Sequence, residues 1–387
     1  MNKVISSIPP SISLAVTSKA KALAAAGDPV CSFAAGEPDF DTPEVIKAAA
    51  AEALQRGETK YTPAVGLLSL RETIARKLKD ENGLDYAPNE IVVSDGAKHS
   101  LFNIFMAILN QGDEVIIPAP YWLSYPEMVK IAGGKPVFIS GEESCDFKIT
   151  PDALEAAIGE RTRAVIINSP SNPIGMVYSA AELEALAAVA VKHDILIVSD
   201  EIYEKMVYDG IEHVSIGSFG PEVFKRTITV NGFSKAFSMT GWRLGYFAAP
   251  ASIAKVAATL QSHSTSGPNT FAQYGAIAAL NSAADEVRTM VAAFDERRAF
   301  MYEKLSAIDG ITCVKPQGAF YMLPNISSLG LGSVDFAAKL LDEVKVAVVP
   351  GAAFGCDTNI RLSYACSKEN IEEGINRIAD FIKSQKA

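Results

Sequence analysis

Residues 91–108 read IVVSDGAKHSLFNIFMAI and contain the unit that decides the fold. The first part, Ile91–Ser94, is apolar and mostly β-branched, which is typical of a short strand buried on both faces. The apolar residues that follow recur at the spacing of one helix face: Leu101, Ile104, Phe105 and Ile108. A buried strand followed directly by an amphipathic helix is the repeating unit of a parallel α/β sheet.

The same alternation continues to about residue 250. Further short apolar runs follow, separated by amphipathic segments: Glu114–Ile117, Val137–Ile139, Ala164–Asn168, Ile195–Ser199, Thr227–Val230 and Leu244–Ala248. One of those segments starts with Ser179 and has Glu182 three residues later, which is the capping-box spacing of a helix start. We therefore predict an α/β fold with a mostly parallel sheet flanked by helices.

After about residue 285 the pattern changes to that of a smaller α+β domain. Helices are predicted over 285–308, over 334–344 and from Lys368 onward. The short apolar runs between them are Ile311–Val314, Ala319–Leu323, Val346–Val349 and Ile360–Tyr364. We expect three parts: an N-terminal arm with part of the small domain (1–40), a large domain (41–284) and a small C-terminal domain (285–387).

Composition and charge exclude several functional classes. The 387 residues carry a net charge of −10 without a basic block, which argues against nucleic acid binding. No His-x-x-x-His or Cys-x-x-Cys spacing occurs, so we predict no metal site. The five scattered cysteines fit a reducing cytoplasm. No apolar run reaches the roughly 18–20 residues of a membrane span, and the N-terminus has no signal-peptide core.

Polar side chains follow the predicted strands, where open α/β sheets bind their ligands. Small residues and a lysine follow the first strand at a helix start, which makes an anion site: Gly96, Ala97 and Lys98. Later strands are followed by an amide, a carboxylate with a phenol, and a lysine with an arginine: Asn172, Asp200 with Tyr203, and Ser234, Lys235 and Arg243. We expect these groups to face one crevice.

That set of groups suits a phosphorylated aromatic cation, namely pyridoxal 5′-phosphate (PLP). Arg243, Ser234 and the amides of 96–98 can hold a phosphate. Asp200 can pair with a protonated ring nitrogen, while Asn172 and Tyr203 can hydrogen-bond a ring oxygen. Stacking on the ring is predicted for Trp122 and a Schiff base with the aldehyde for Lys235.

Several stretches, in order along the chain, resemble the class I/II aminotransferase family of fold type I PLP enzymes, in particular the bacterial-type (Iβ) aspartate aminotransferases. The matching stretches are AGEPDF at 35–40, KYTP at 60–63, SPSNP at 169–173, SDEIY at 199–203, SKAFSMTGWR at 234–243 and IRLSY at 360–364. Some members of that subgroup are prephenate aminotransferases. The resemblance implies a large PLP-binding domain and a smaller α+β domain.

The resemblance also implies residue roles. Lys235 would be the Schiff-base lysine and proton shuttle, with Asp200 on the pyridine nitrogen and Tyr203 and Asn172 on the cofactor's O3′. Arg361 would bind the substrate α-carboxylate, helped by Asn172, Trp122 and the Gly36 backbone. Tyr61 would reach the phosphate of the neighbouring subunit, which implies a homodimer with shared active sites.

Two departures from the family pattern concern phosphate and substrate. Gly232 stands where animal-type enzymes place a serine phosphate ligand, so phosphate binding depends on Ser234, Arg243 and the helix start. By resemblance to the bacterial type, Lys98 would bind the distal carboxylate of the substrate. In prephenate-active relatives this lysine is paired with a threonine, where this chain has Ser13.

The function expected from the resemblance is ping-pong transamination between L-aspartate and 2-oxoglutarate through a Lys235 Schiff base. Prephenate amination to arogenate is the first alternative, as the main or a second activity. An aromatic or kynurenine-type aminotransferase and a PLP β-lyase of the same fold are further alternatives. An effector-sensing regulator would need a DNA-binding segment, which these 387 residues do not accommodate.

Overall fold

The computed structural model describes residues 2–386, with the side chain of Lys386 left out, so the outermost positions of the first and last predicted domains, Met1 and Ala387, lie outside the described residues. The helices are α1 Lys3–Ser7, α2 Ile12–Ala25, α3 Glu44–Gln55, α4 Leu68–Asn82, α5 Ala97–Ile108, α6 Tyr125–Ile131, α7 Pro151–Ala157, α8 Ala180–Lys192, α9 Pro221–Phe224, α10 Ala251–Ser264, α11 Thr270–Ser282, α12 Ala284–Ser306, α13 Ser333–Val344 and α14 Lys368–Lys386. The strands are β1 Cys31–Ser32, β2 Ile91–Ser94, β3 Glu114–Ala119, β4 Lys135–Ser140, β5 Thr162–Asn168, β6 Leu196–Asp200, β7 Thr227–Gly232, β8 Gly245–Ala248, β9 Tyr321–Met322, β10 Val346–Ala347, β11 Val349–Pro350 and β12 Ile360–Ser363.

The main sheet has seven strands in the order β2-β8-β7-β6-β5-β3-β4. Strands β3 to β7 pair in parallel, and β8 runs antiparallel to both of its neighbours, β2 and β7. The prediction of an α/β fold with a mostly parallel sheet is therefore confirmed. Each predicted run from Ile91 to Ala248 corresponds to a strand, except that Ile195 and Leu244 lie one residue before β6 and β8.

Helices cover both faces of this sheet, because alternate residues of each central strand are apolar on opposite sides. Val198 and Ile166 pack under α5, α6 and α10 on one face, whereas Ile197 and Ile167 pack under α7, α8 and α9 on the other. The edge strand β4 differs from the prediction of a strand buried on both faces. Its residues are half-buried or exposed, because it has a neighbour on one side only.

The N-terminal and C-terminal segments pack together. Strand β1 pairs in parallel with β10, and β11, β12 and β9 form a three-stranded antiparallel sheet. The predicted run Ile311–Val314 forms only a single bridge, between Thr312 and Asn325, because Pro316 follows and has no N–H to extend a ladder. Helix α12 begins at Ala284, beside the boundary expected there, and the division into three parts remains a prediction.

Two sequence expectations concern whole-chain properties. Within residues 2–386, no helix combines the length and apolar character that a membrane crossing requires. All five cysteines lie in the described part of the chain, and each is a free thiol.

Candidate active site

A cavity of about 680 Å³ lies at the carboxyl ends of the parallel strands, between the main sheet and helix α2. It is lined by most of the residues that the sequence singled out: Ser13, Gly36, Ala97, Lys98, Trp122, Asn172, Asp200, Tyr203, Ser234, Lys235, Arg243 and Arg361. The described structure thus brings residues from both ends of the chain to one space.

Asp200 is the last residue of β6 and is 3% exposed. Its Oδ2 accepts a hydrogen bond from the Tyr125 hydroxyl at 2.6 Å, and its Oδ1 accepts one from the backbone N–H of Ile202 at 3.2 Å. Burial raises the pKa of this carboxyl to about 6, against the lowering effect of the Tyr125 hydrogen bond. A positive charge beside this buried carboxyl would stabilise its ionised form.

Lys235 lies in the turn after β7, and its ammonium group donates to the backbone carbonyl of Gly36. Burial lowers the pKa of its amine to about 8; the charge of Glu37 opposes this shift, and Arg361 adds to it. A much larger share of this amine is therefore neutral near pH 7 than in an ordinary lysine, which is what a nucleophile or base requires.

The groups expected to form an anion site meet at the first turn of α5. Gly96 precedes the helix with a φ of 91°, a conformation that favours glycine. A side chain there would also clash, since a Cβ would come within 2.6 Å of Arg243 Nη2. Gly245 of β8 allows the same close approach, because its Cβ would lie 2.2 Å from the amide nitrogen of Ala97. Free helix N–H groups and a guanidinium suit a phosphate.

Arg361 projects from β12 into the opposite wall and is 2% exposed. It donates from Nη1 to Asn172 Oδ1 and from Nη2 to the Ala34 carbonyl, both at 3.1 Å. Its guanidinium carbon lies 4.4 Å from the ring centre of Tyr321. These contacts leave Nε buried without a hydrogen-bond partner among the described residues. A buried guanidinium with no carboxylate partner among those contacts is suited to a substrate carboxylate.

The two groups expected at a ring oxygen are both fixed by neighbours. The Tyr203 hydroxyl lies 3.0 Å from the Tyr321 hydroxyl, and burial together with that neighbour holds the pKa of Tyr203 well above its ordinary value. The Asn172 backbone N–H donates to Asn168 Oδ1 at 2.9 Å. Tyr203 therefore remains a neutral phenol that can donate a hydrogen bond.

Lys98 and Trp122 lie against each other at the mouth of the anion site. The Lys98 Nζ is 4.9 Å from the Trp122 ring centre, a cation–π distance. Burial, and next the charge of Arg243, lowers the pKa of Lys98. No carboxylate is hydrogen-bonded to this ammonium in the described structure, so it is available to an acidic ligand.

Two predicted residues lie further from these groups. Ser13 is half-buried on α2 and lines the far side of the same cavity. Tyr61 does not line it and is 95% exposed. Within a single chain the structure does not bring Tyr61 to the anion site.

Sequence reasoning missed four residues that shape this site: Tyr125, Tyr321, Glu37 and Thr240. Tyr125 holds Asp200, and Tyr321 contacts both Tyr203 and Arg361. Glu37 accepts a hydrogen bond from Thr240 at 2.9 Å beside Lys235. Glu37 and Thr240 lie inside the stretches that carry the family resemblance, which was the available signal. Tyr125 and Tyr321 lie outside them.

Comparison with known proteins agrees with this geometry. The family model for aminotransferase class I and II matches residues 28–378. An aspartate aminotransferase from Geobacillus stearothermophilus is 53% identical, with 99% of each chain covered. An aspartate/prephenate aminotransferase from Cereibacter sphaeroides is 46% identical, with 98% of each covered.

A solved structure shows the same fold. The aspartate aminotransferase from Thermus thermophilus with maleate superposes with a TM-score of 0.95 at 45% identity, covering 98% of this chain and 99% of that one. The family match extends over most of the chain, and its members use PLP as a general property. On these grounds the chain belongs to the class I and II aminotransferase family.

Proposed function

We propose that this protein transfers the amino group of L-aspartate to 2-oxoglutarate in two half-reactions at one PLP site. The observation that carries the proposal is that Lys235, Asp200 and Arg361 line a single cavity together with Lys98. Relatives named aspartate aminotransferase at 53% identity support the choice of substrate.

The residues present fit PLP at both ends. Asp200 would hold the protonated ring nitrogen, and its buried carboxylate would gain a positive partner. Arg243, Ser234 and the α5 N-terminus at Gly96–Lys98 would hold the phosphate, where the glycine leaves space that a Cβ would fill. Trp122 would cover a ring face. Bound PLP would supply an aldehyde that captures amines and a ring that accepts electrons.

Lys235 would perform the proton transfer. Its neutral Nζ is the base that takes the proton from the substrate Cα, and its ammonium form is the acid that returns a proton. With a pKa of about 8, Lys235 populates both the neutral and the ammonium form near neutral pH. The ammonium form would be stabilised by the Gly36 carbonyl, which accepts its hydrogen bond, and by the charge of Glu37.

Two cations would bind the two carboxylates of the substrate. Arg361, held by Asn172 and the Ala34 carbonyl, would bind the α-carboxylate. Lys98 would bind the distal carboxylate, which favours aspartate and 2-oxoglutarate over neutral amino acids.

Prephenate amination is a second candidate, favoured by one observation. Ser13 and Lys98 line the same cavity, the former on α2 and the latter on α5. A relative at 46% identity is named aspartate/prephenate aminotransferase. The Ser13 hydroxyl would replace the threonine of prephenate-active relatives.

We also propose a cytoplasmic homodimer. An exposed tyrosine at 61 lies on a loop next to residues 265–270, outside the cavity of its own chain. In a dimer that loop would place the hydroxyl of Tyr61 on the phosphate in the neighbouring subunit.

A substrate panel on PLP-loaded protein tests the proposed function. We expect aspartate with 2-oxoglutarate to give the highest kcat/KM, and Lys98→Ala to lower it for dicarboxylic substrates by about 10- to 100-fold but little for alanine. Lys135→Ala, at an exposed lysine of β4, is the control and should change neither. A uniform loss for all substrates in Lys98→Ala would refute the role of Lys98.

The same panel separates the two candidates. Comparable turnover of prephenate and 2-oxoglutarate, with Ser13→Ala lowering only the former, would establish the second activity. No turnover of prephenate would exclude it. Release of ammonia and an oxo acid without an acceptor would indicate a β-lyase instead.

A further inference from the structure

A buried charge network lies directly behind Asp200, on the opposite face of β6. Side chains alternate along a strand, so Asp200 faces the cavity together with Val198, whereas Ser199 and Glu201 point to the other side. Glu201 is 1% exposed, although no step of the proposed reaction uses it. A buried carboxylate of this kind is costly unless it is paired.

Within the described residues, each hydrogen bond of the Glu201 carboxylate is with a polar side chain. Its Oε1 accepts a hydrogen bond from the Ser199 hydroxyl at 2.8 Å. Its Oε2 accepts one from the Ser215 hydroxyl at 2.6 Å and lies 3.0 Å from His213 Nε2. Among the residues that the structure describes, His213 is therefore the single group in hydrogen-bond contact with this carboxylate that can carry a positive charge.

A second carboxylate lies beside the first. Glu204 accepts hydrogen bonds from the Lys77 ammonium and from Asn82, and Asn82 also donates to Ser215 Oγ at 2.8 Å. Burial raises the pKa of Glu204, but the charges of Lys77, His213 and Lys205 and the hydrogen bond from Asn82 together outweigh it and lower that pKa to about 2. Lys77 thus pairs with Glu204, and His213 is the partner of Glu201.

The charges that face His213 favour its protonated form. Burial lowers the pKa of its imidazole, but the hydrogen bond that it donates to Glu201 and the charges of Glu201 and Glu204 outweigh burial and Lys77 and raise that pKa. Nδ1 has no hydrogen-bond partner among the described residues, so these charges decide the state of the ring. Further out, Glu81 and Lys205 pair with each other at 2.6 Å.

The charge count makes the network sensitive to one proton. Glu201 and Glu204 are balanced by Lys77 and a protonated His213, whereas loss of the His213 proton leaves one net negative charge. That charge would lie beside Asp200, whose own ionisation the Glu201 carboxylate already opposes.

We propose that His213 is a positioning residue for Asp200: by neutralising Glu201 behind β6, it keeps Asp200 ionised for its contact with a protonated cofactor ring. This inference rests on the proposed PLP site. It adds a residue outside the cavity lining that sets the pH range in which the site holds its cofactor.

The test is the affinity of the apo-protein for PLP as a function of pH. By linkage, affinity should fall about tenfold per pH unit below the pKa of free Asp200, near pH 6. His213→Gln keeps a hydrogen-bond donor but cannot carry a charge. The pH at which PLP affinity begins to fall is called the break. We expect His213→Gln to raise the break by about half a pH unit or more.

A rescue variant and a control separate this from a structural effect. Because the effect acts through Glu201, adding Glu201→Gln to His213→Gln should return the break to the wild-type pH. His193→Gln removes a half-buried histidine that pairs with Glu155 and should leave the break unchanged. A structural role would weaken PLP binding at every pH without moving the break, and no rescue would follow; either result would overturn the inference.

A measurement on the unmodified protein covers the case in which His213→Gln fails to fold. In carbon-13 NMR of labelled histidine, His213 should titrate above the ordinary value of about 6.5. Titration at or below that value would overturn the inference. Failure of the wild-type protein to bind PLP at any pH would overturn the proposed function as well, whereas binding with one common break in all variants would overturn this inference alone.

Discussion

The lowered pKa of Lys235 leads to a prediction that needs neither cofactor nor substrate. At pH 7, an amine with a pKa of about 8 is neutral in about one molecule in ten, whereas an amine at 10.5 is neutral in about one in three thousand. If the reagent reaches both amines equally well, the neutral, reactive fraction of Lys235 is therefore about 300-fold larger than that of an ordinary lysine. Reactivity should rise tenfold per pH unit and level off near pH 8.

Trace labelling of the apo-protein with a small acylating reagent, quantified by mass spectrometry, measures this directly. Lys383, an exposed lysine of α14, is the internal control. Glu37→Gln supplies a second check, because the Glu37 charge raises the pKa of Lys235 and its removal should move the midpoint lower. A midpoint for Lys235 equal to that of Lys383, or a rise in Glu37→Gln, would refute the electrostatic argument.

Three further substitutions have distinct expected results. Arg361→Lys loses the forked contacts to Asn172 and the Ala34 carbonyl, so kcat/KM for aspartate should fall about 100-fold while PLP affinity, measured by absorbance titration, stays unchanged. Tyr125→Phe removes the 2.6 Å hydrogen bond to Asp200 and so raises the pKa of that carboxyl; the PLP dissociation constant at pH 7 should rise about tenfold. Tyr61→Phe should weaken PLP binding several-fold without changing the melting temperature of the apo-protein, because its side chain is exposed within its own chain.

Each of these results has a counterpart that would contradict it. Equal loss of PLP and substrate binding in Arg361→Lys would place that residue at the cofactor. Tyr178→Phe is the control for Tyr125→Phe, because Tyr178 is a buried tyrosine that accepts from the Ile149 N–H instead of contacting Asp200. The same weakening in both variants would mean that Asp200 is not involved. Unchanged PLP binding in Tyr61→Phe would exclude the contact across subunits.

The fold could be predicted because its central strands have a strong local signature. Runs such as Ile91–Ser94 are mostly apolar since both sheet faces are covered, and turns follow them at short spacing. The sequence predicts the edge strand β4 and the run Ile311–Val314 less accurately. Their structure depends on having no second neighbour and on a nearby proline, not on local hydrophobicity.

The polar groups of the cavity could be proposed from their position after strands, but their partners could not. Tyr125 and Asp200 are 75 residues apart, and Tyr203 and Tyr321 are 118 apart. No spacing rule joins such pairs, because the sheet order brings them together. The contact of His213 with Glu201 likewise appears only in the fold.

The most direct test of the central claim is a single turnover without an acceptor. PLP-loaded protein mixed with excess aspartate should release one oxaloacetate per bound PLP and stop. After the unreacted aspartate has been removed, adding 2-oxoglutarate should give one glutamate per bound cofactor and restore the first absorbance spectrum. Continued product release without an oxo acid, or no oxaloacetate at all, would contradict the account.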